Sequence, residues 1–496
     1  MDKKIFFLLC GLSIIAFFLR IYLFPDNLFF GPEQGRDFKV IRDIVVSHKL
    51  TLIGSKTDIA GVFHGPVFYY LACIPFILSS GDPYFVSLFF ILFQSLSVFL
   101  IYFLSIELSS SRWIGIVSAL LFTFSYGSIS YARWLSNPPL TIPLSLLFFL
   151  FLIKFLKGNK WYLIGASVFF GLMGQAEFIN FVLAGAVGLA IAIRFYPKFI
   201  SQSKIYLVLA FFIALLFSIG TYVLFDVRHE FLITKSVLEL IGGTKGEYIS
   251  LVHSINSTFR MLVYSSMNIL GLPNVPVTIV TLICIISTLI LRVKRNSWYL
   301  ILIFWLATPI IVLILLRHDV LEQLFVFLAA GIIIGLAVAI DFVRRFYFGS
   351  VAILLLVIFL FFNVSLIYGS LPVNSRIFFQ STQPELKYKD EVDVVDYVYR
   401  KANGKIFYFQ SYTIPYFWQD GWEYLFWHRG VKHGLVLPSE ENDELLFVII
   451  QKDVSNPLYQ DNWHKNTVTK WGTLQSIEKV GTLVVEERIN ENRDKK

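Results

Sequence analysis

Twelve apolar stretches dominate the first three quarters of this chain, at about residues 5–22, 66–80, 84–107, 113–130, 138–153, 161–174, 178–195, 204–225, 273–292, 297–316, 321–340 and 346–368. Most are long enough to cross a hydrocarbon core of about 30 Å at about 1.5 Å per helical residue. Nothing built from ordinary globular domains repeats such stretches so densely. Hydrophobic residues make up 56% of the chain and charged ones 15%, against roughly a quarter charged in a typical soluble protein. The reading is a polytopic α-helical membrane protein.

Basic clusters set its expected direction. Lys and Arg accumulate in cytoplasmic loops, which places Arg112, Lys154–Lys160, Arg194–Lys204, Arg292–Arg295 and Arg344–Arg345 on the inner side. Strict alternation of all twelve stretches would export Arg112 and the 154–160 cluster. If 66–80, which is short and carries Pro66 and Pro75, lies along the outer interface instead, every cluster falls inside. That gives about eleven spans plus interfacial helices and a cytoplasmic N-terminus. Three sizeable regions then lie outside: 23–83, 226–272 and the tail from 369. The first stretch follows MDKK without a small-residue cleavage pattern and reads as an uncleaved span.

Charge also separates two kinds of polymer. Residues 1–372 hold 26 Lys+Arg and 16 Asp+Glu, whereas residues 373–496 hold 16 and 18. The formal charge of +8 therefore belongs to the membrane part and does not indicate nucleic acid. Residues 1–368 read as the membrane domain, 369–388 as a Pro- and Ser-rich linker, and 389–496 as a small soluble α/β domain. Within the last, EVDVVDYVYRKANG predicts a helix stopped by Gly404. KIFYFQSY and ELLFVIIQ predict strands, and TLQSIEKVGTLVVEERI a closing pair. Cys10, Cys73 and Cys284 lie in apolar stretches and are expected to be buried thiols. His428, His433 and His464 show no metal-ligand spacing and are expected on the surface.

The chemistry-bearing residues gather where outer ends of spans are expected. FFGPEQGRDFKVIRDIV, just after the first span, brings Glu33, Gln34, Arg36 and Asp37 within five positions. A carboxylate beside a cation at a membrane surface can serve as general base facing an anionic ligand. FHGPVFYY supplies His64, YARWLSNPP supplies Arg133 and Asn137, and GQAEF supplies Gln175 and Glu177. FDVRHEF supplies Asp226, Arg228 and His229, and RHDVLEQ supplies Arg317, His318 and Glu322. A single such Arg is as readily an interfacial snorkeller. Several converging on one membrane face would clamp a lipid phosphate. There is no GxxxxGK[ST] phosphate loop, no HExxH and no GxSxG, which argues against an ATP-driven pump.

These motifs, in this order, resemble the GT-C class of membrane glycosyltransferases, specifically glycosyltransferase family 39, the protein mannosyltransferase and aminoarabinose transferase superfamily. The resemblance covers roughly residues 1–345. EQGRDFKVIRD stands where the family carries an acidic pair followed by an Arg and an acid, with Glu33 and Gln34 on the pair. HGPVFYY stands on a Lys-Pro-Pro-Leu-like segment, with His64 on the usual Lys. A long first outer loop, a second one after the seventh span and a soluble outer tail complete it. Glu in place of the first Asp, and Gln in place of the second acid, leave Asp37 as a rival base.

The resemblance implies that residues 1–368 form a GT-C catalytic domain with outer loops 23–83 and 226–272. It implies an inverting transfer of sugar from a polyprenyl-phosphate donor to an acceptor at the outer face of the plasma membrane. The first-loop carboxylate, Glu33 ahead of Asp37, would be the base. Arg36, His64, Arg133, Arg228, His229, Arg317 and His318 are candidates for holding the donor phosphate, and Gln34, Asn137 and Glu177 for supporting the acceptor. The energy lies in the sugar–phosphate bond, so no cofactor is required, although a divalent cation on Glu33 or Asp37 is compatible. The acceptor is a glycan, a lipid or a protein. The alternatives are a flippase for polyprenyl-linked sugars and a non-catalytic subunit of an envelope glycan complex.

Overall fold

A computed structural model of the chain describes residues 2–24, 26–201, 204–241, 249–318, 320–346, 349–370, 386–414, 416–441 and 443–490. Most of the expected linker, and Asp319, lie outside the described residues. Seven helical segments have the length and hydropathy to cross a membrane: Pro83–Ser109, Pro138–Leu156, Lys204–Arg228, Val275–Val293, Tyr299–Leu316, Glu322–Phe346 and Gly349–Ser370. An eighth is a pair, Arg112–Phe124 and Tyr126–Ala132, bent by 59°. The Lys3–Arg20 helix carries three basic residues in its 18 positions, and the apolar helices Trp161–Ala176 and Ile179–Arg194 are shorter.

The basic clusters share one end of this bundle. Lys157 pairs with Glu107 at 2.6 Å, and Lys198 donates to the Leu156 carbonyl and lies over the Trp298 ring. The fully buried Asp341 collects Arg292, Arg344 and Arg345, each at 2.9 Å. Arg344 in turn covers Trp113. A buried carboxylate with several cations is tolerable in such a body because its charge is matched where it sits.

The opposite end is built from turns and short helices. The Val67–Ser79 helix has both of its ends there. The Gly65 amide before it donates to the Gln175 carbonyl, and the Gly81 carbonyl after it accepts from Tyr424 in the tail. This is the geometry of a segment that lies along one surface rather than crossing. The region 226–272 differs from the expected loop. It contains the Leu232–Ile241 helix and a 20-residue helix, Leu251–Leu270, packed against the Tyr299–Leu316 helix. Buried Ser254, Ser257, Thr258, Ser265 and Ser266 lower its hydropathy enough to hide a packed helix in what reads as polar sequence.

The tail folds as expected, with a four-stranded sheet in the order β1-β2-β4-β3. β1 (Tyr408–Tyr412) runs parallel to β2 (Leu445–Gln451). The hairpin of β3 (Thr473–Val480) and β4 (Leu483–Ile489) adds to β2 antiparallel. The predicted helix spans Tyr388–Ala402, and Asn403 and Gly404 take positive φ to end it. A second helix, Asp420–His433, was not legible as one. His428 on this helix is buried rather than on the surface, and burial pushes its imidazole down to about 4. The cysteines also depart from expectation: Cys10 and Cys73 are half-buried and Cys284 is exposed on the apolar Val275–Val293 helix, where lipid would cover it.

The tail sits directly on the first loop. The Pro32–Val46 helix and the Asp420–His433 helix cross so closely that a Cβ on Gly35 would lie 2.3 Å from the Asp420 carbonyl carbon and the Gly421 nitrogen. Lys39 bridges Asp420 and Glu423 at 2.6 Å each. Phe30, Phe38, Phe76 and Tyr424 form an aromatic knot under the contact. We expect Gly35→Ala to release the tail. Helix propensity alone favours Ala by roughly 1 kcal/mol, whereas overpacking opposes it by about 1–3 kcal/mol or more. A lower melting temperature with faster proteolytic release of the tail is the expected outcome, and a higher melting temperature would sink the close-contact account.

Candidate active site

The Pro32–Val46 helix begins at Gly31, with Pro32 in its first turn where a missing N–H does no harm. Gln34, 1% exposed, accepts from the Gly31 amide at 3.2 Å and donates to the Leu135 carbonyl at 3.2 Å. The helix start is thereby fastened to the turn at residues 131–137. Glu33 is half-buried, and Asp37 follows one turn later on the same face. Asp37 is 2% exposed, and its Oδ1 accepts from Arg36 Nε at 2.9 Å and Tyr69 Oη at 2.9 Å. Burial pushes the Asp37 carboxyl up to about 6, although Arg36 and Tyr69 favour its ionised form. Tyr69 belongs to the HGPVFYY segment. Its role as the third member of this group was not legible, because only the turn of the chain at Pro66 brings it under the helix.

A second polar group lies beside the first. Gly54 donates to the His64 carbonyl and the His64 amide to the Ser55 carbonyl, which folds residues 54–64 back on themselves. His64 Nδ1 accepts from the Phe178 amide at 3.4 Å and lies 3.9 Å from Glu177 Oε1. Asn137 Nδ2 donates to Ser55 Oγ at 3.1 Å. Burial, with Arg36 nearby, lowers His64 to about 4, whereas burial, with Asp58 nearby, raises Glu177 to about 8. The His64–Glu177 approach is therefore not an ion pair near neutral pH, because both groups are uncharged. Burial thus opposes the cationic form that a phosphate contact by His64 would use. Glu177 Oε2 and Asn137 Oδ1 are buried without a hydrogen-bond partner.

The other expected cations are placed differently. Arg133 is 1% exposed. Its Nη1 donates to the carbonyls of Arg20 at 3.0 Å and Tyr22 at 2.8 Å, and its guanidinium lies over the Phe24 ring. It therefore braces the end of the first span against the 131–137 turn, while its Nε and Nη2 are buried without a hydrogen-bond partner. His229 stacks on Phe225 at 3.9 Å and donates through Nδ1 to the Phe225 carbonyl at 2.8 Å. Phe225 packs on Phe63, which puts Arg228 and His229 on the flank of the His64 group. Asp226 caps the following helix through the Ile233 and Thr234 amides. Arg317 is exposed at the end of the Tyr299–Leu316 helix, next to His318. Among the described residues no ion pair joins Arg228 or Arg317 to the Glu33 group. Glu322 accepts from Tyr131 and Asn268, so it ties the 131–137 turn to the Leu251–Leu270 helix. No group of three or more His, Cys, Asp or Glu suited to a metal ion occurs among the described residues.

The arrangement thus brings a half-buried carboxylate, a guanidinium held by a sealed carboxylate, and a close His–Glu pair to one end of the bundle. A carboxyl raised from 4.5 to about 8 contributes stability that is complete below pH 4.5 and lost as pH rises through 8. Glu177→Gln should therefore be close to neutral at pH 4, increasingly stabilising as pH rises from 4.5 to 8, and stabilising at pH 9 by an amount on the order of several kcal/mol; pH 4 and pH 9 are the two values to compare. Thermal unfolding at the two pH values measures this, and equal shifts at both would refute it.

Residues 63–222 match the family model described as dolichyl-phosphate-mannose-protein mannosyltransferase. The matched stretch begins after the Pro32–Val46 helix, so Glu33 and Asp37 lie outside it. No curated protein matches the chain significantly. The fold is similar to that of ArnT from Cupriavidus metallidurans bound to undecaprenyl phosphate, with a TM-score of 0.62 at 11% identity over 99% of both chains. The apo form of that protein gives 0.60 at 11% identity over 98% of each. The oligosaccharyltransferase AglB from Archaeoglobus fulgidus, in complex with an inhibitory peptide and a dolichol-phosphate, gives 0.52 at 14% identity. There the match covers 80% of this chain and 58% of that one. The chain is a multi-pass membrane protein of the GT-C fold, similar to glycosyltransferase family 39.

Proposed function

We propose that the chain is an inverting glycosyltransferase that moves a sugar from a polyprenyl-phosphate donor to an acceptor hydroxyl at the outer face of the membrane. The observation that carries this is the cluster of Glu33, Arg36 and Asp37 on a helix fastened to the body at Gln34 and to the tail at Gly35, with Tyr69 of the Val67–Ser79 helix bonded to Asp37. Support for a lipid-phosphate donor comes from the fold, which is shared with a protein crystallised with undecaprenyl phosphate.

In this reading Glu33 accepts the proton of the acceptor hydroxyl. The acceptor oxygen forms its bond to the anomeric carbon as the carbon–oxygen bond to the lipid phosphate breaks on the opposite side. Arg36 meets the charge that develops on the departing phosphate. Asp37 is the second candidate for the base. Its burial and its bonds to Arg36 and Tyr69 suit it better to holding the guanidinium. Arg228 on the flank, beside His229, and Arg317 at the neighbouring span end, beside His318, add positive field for the donor. Asn137 and Glu177 would orient the acceptor. The shared end of the basic clusters supports a cytoplasmic placement for that end, and thus an extracytoplasmic site and tail in the plasma membrane.

Purified protein incubated with polyprenyl-phosphate sugars tests the reading through release of lipid phosphate. Glu33→Gln should lower turnover by about 10²–10⁴-fold while donor affinity stays within about twofold. Unchanged turnover would remove Glu33 as base, and a flippase would lose little transport. Turnover should also fall below pH 6, because protonation of Asp37, near 6, releases Arg36. Tyr69→Phe removes a bond that favours the ionised carboxyl, so the acidic limb should move to higher pH. A limb that stays in place would exclude Asp37 as its source.

A further inference from the structure

A cleft of about 820 Å³ separates the exposed side of the Pro32–Val46 helix from the tail. It runs from Arg36, at the candidate active site, along Lys39 and Arg42 to the edge strand β1 and the segment 437–440. Its size lies in the upper part of the range for ligand sites. Two features describe what would fit. The first is charge. Arg36 is held by Asp37, Lys39 by Asp420 and Glu423, and Arg42 by Asp43 at 2.9 Å and by the Trp427 ring at 5.2 Å. Past Arg36, which borders the candidate active site, Lys39 and Arg42 each already have a counter-charge, and Glu440 adds a further acid. Along that stretch a phosphate or an acidic peptide would find no excess positive charge.

The second feature is the opposite wall. Tyr408, Gln410 and Gln419 form a row of neutral hydrogen-bonding groups, with Gln419 Nε2 donating to Gln410 Oε1 at 2.6 Å and Gln410 Nε2 to Tyr408 Oη. Phe417, 40% exposed, and Trp427 offer aromatic faces beside that row. Amides and phenols that both donate and accept match hydroxyls, and aromatic faces take the apolar face of a pyranose ring. Apolar chains would leave the remaining N–H and C=O capacity of these amides without a partner.

We propose that this cleft is the acceptor site and that its ligand is a neutral glycan. The word acceptor rests on the transferase reading above, whereas glycan binding does not. The tail then acts as the second wall of the site, which explains why it is clamped onto the helix that carries Glu33.

The test uses the full chain in detergent. Saturation-transfer NMR is run with neutral oligosaccharides of glucose, mannose and N-acetylglucosamine, with anionic phospholipid micelles and acidic peptides as the other arms. At least one neutral oligosaccharide should bind saturably. Its Kd should rise about tenfold or more in Gln410→Ala and in Phe417→Ala, with undecaprenyl phosphate affinity unchanged. Two variants on different elements guard against a local folding defect, and each is checked for an unaltered melting temperature. Saturable binding of none of the oligosaccharides, binding that both variants leave intact, or preferential binding of the lipid or peptide would each overturn the proposal. Glycan binding without any sugar transfer by wild-type protein would instead defeat the transferase reading and leave the cleft assignment standing. Transfer that proceeds normally in both variants would defeat the cleft alone.

Discussion

The Pro32–Val46 helix is held from two sides, and the candidate site exists only while both hold. On one side the buried amide of Gln34 spans from the Gly31 N–H to the Leu135 carbonyl. On the other, the missing side chain of Gly35 lets the Asp420–His433 helix approach to van der Waals contact. Burial of Phe38, Ile41 and Ile44 turns one face of this helix inward. One buried hydrogen-bonding side chain and one absent side chain in consecutive positions then fix its register against the body and the tail. In that placement Asp37 lies sealed under Tyr69, Glu33 stays half-buried and Lys39 faces the tail.

The 131–137 turn is the second junction. Arg133 fastens it to the end of the first span, Leu135 receives Gln34, Asn137 reaches Ser55, and Tyr131 reaches Glu322. Four separate stretches of chain meet through it. Arg133 remains protonated even though burial lowers it to about 10. Its Nη1 is met by two carbonyl dipoles and its plane by an aromatic face rather than by a carboxylate, and its Nε and Nη2 are left without a hydrogen-bond partner. Arg36 has the reverse environment, half-exposed and paired, which is why of these two arginines it is the one able to meet a ligand.

Much of the organisation was legible beforehand, for clear reasons. Apolar runs and basic clusters mark spans and a shared end because lipid exacts both, and Pro66 with Pro75 mark a short stretch whose two ends meet the same end of the bundle. The tail strands were visible through their alternation. The Leu251–Leu270 helix was not, because its serines face a packed interior and lower the average that betrays a span. His64 and Arg133 were legible as present but not in their roles. Protonation and accessibility depend on what surrounds a side chain, and residues 64 and 177, or 133 and 20, are neighbours only after folding.

Sequence by itself determined the class of object: a helical membrane body, a soluble tail of near-balanced charge, and a set of chemistry-bearing residues placed just outside span ends. Those follow from local composition, to which the bilayer responds directly. Tertiary structure decided which of the residues act together. It sealed Asp37 under Tyr69, left Glu33 half-open, neutralised His64 beside Glu177, turned Arg133 into a brace, and laid the tail across the Pro32–Val46 helix to form a cleft. Burial and partner choice govern each of these, and both are set by contacts between residues far apart in the chain.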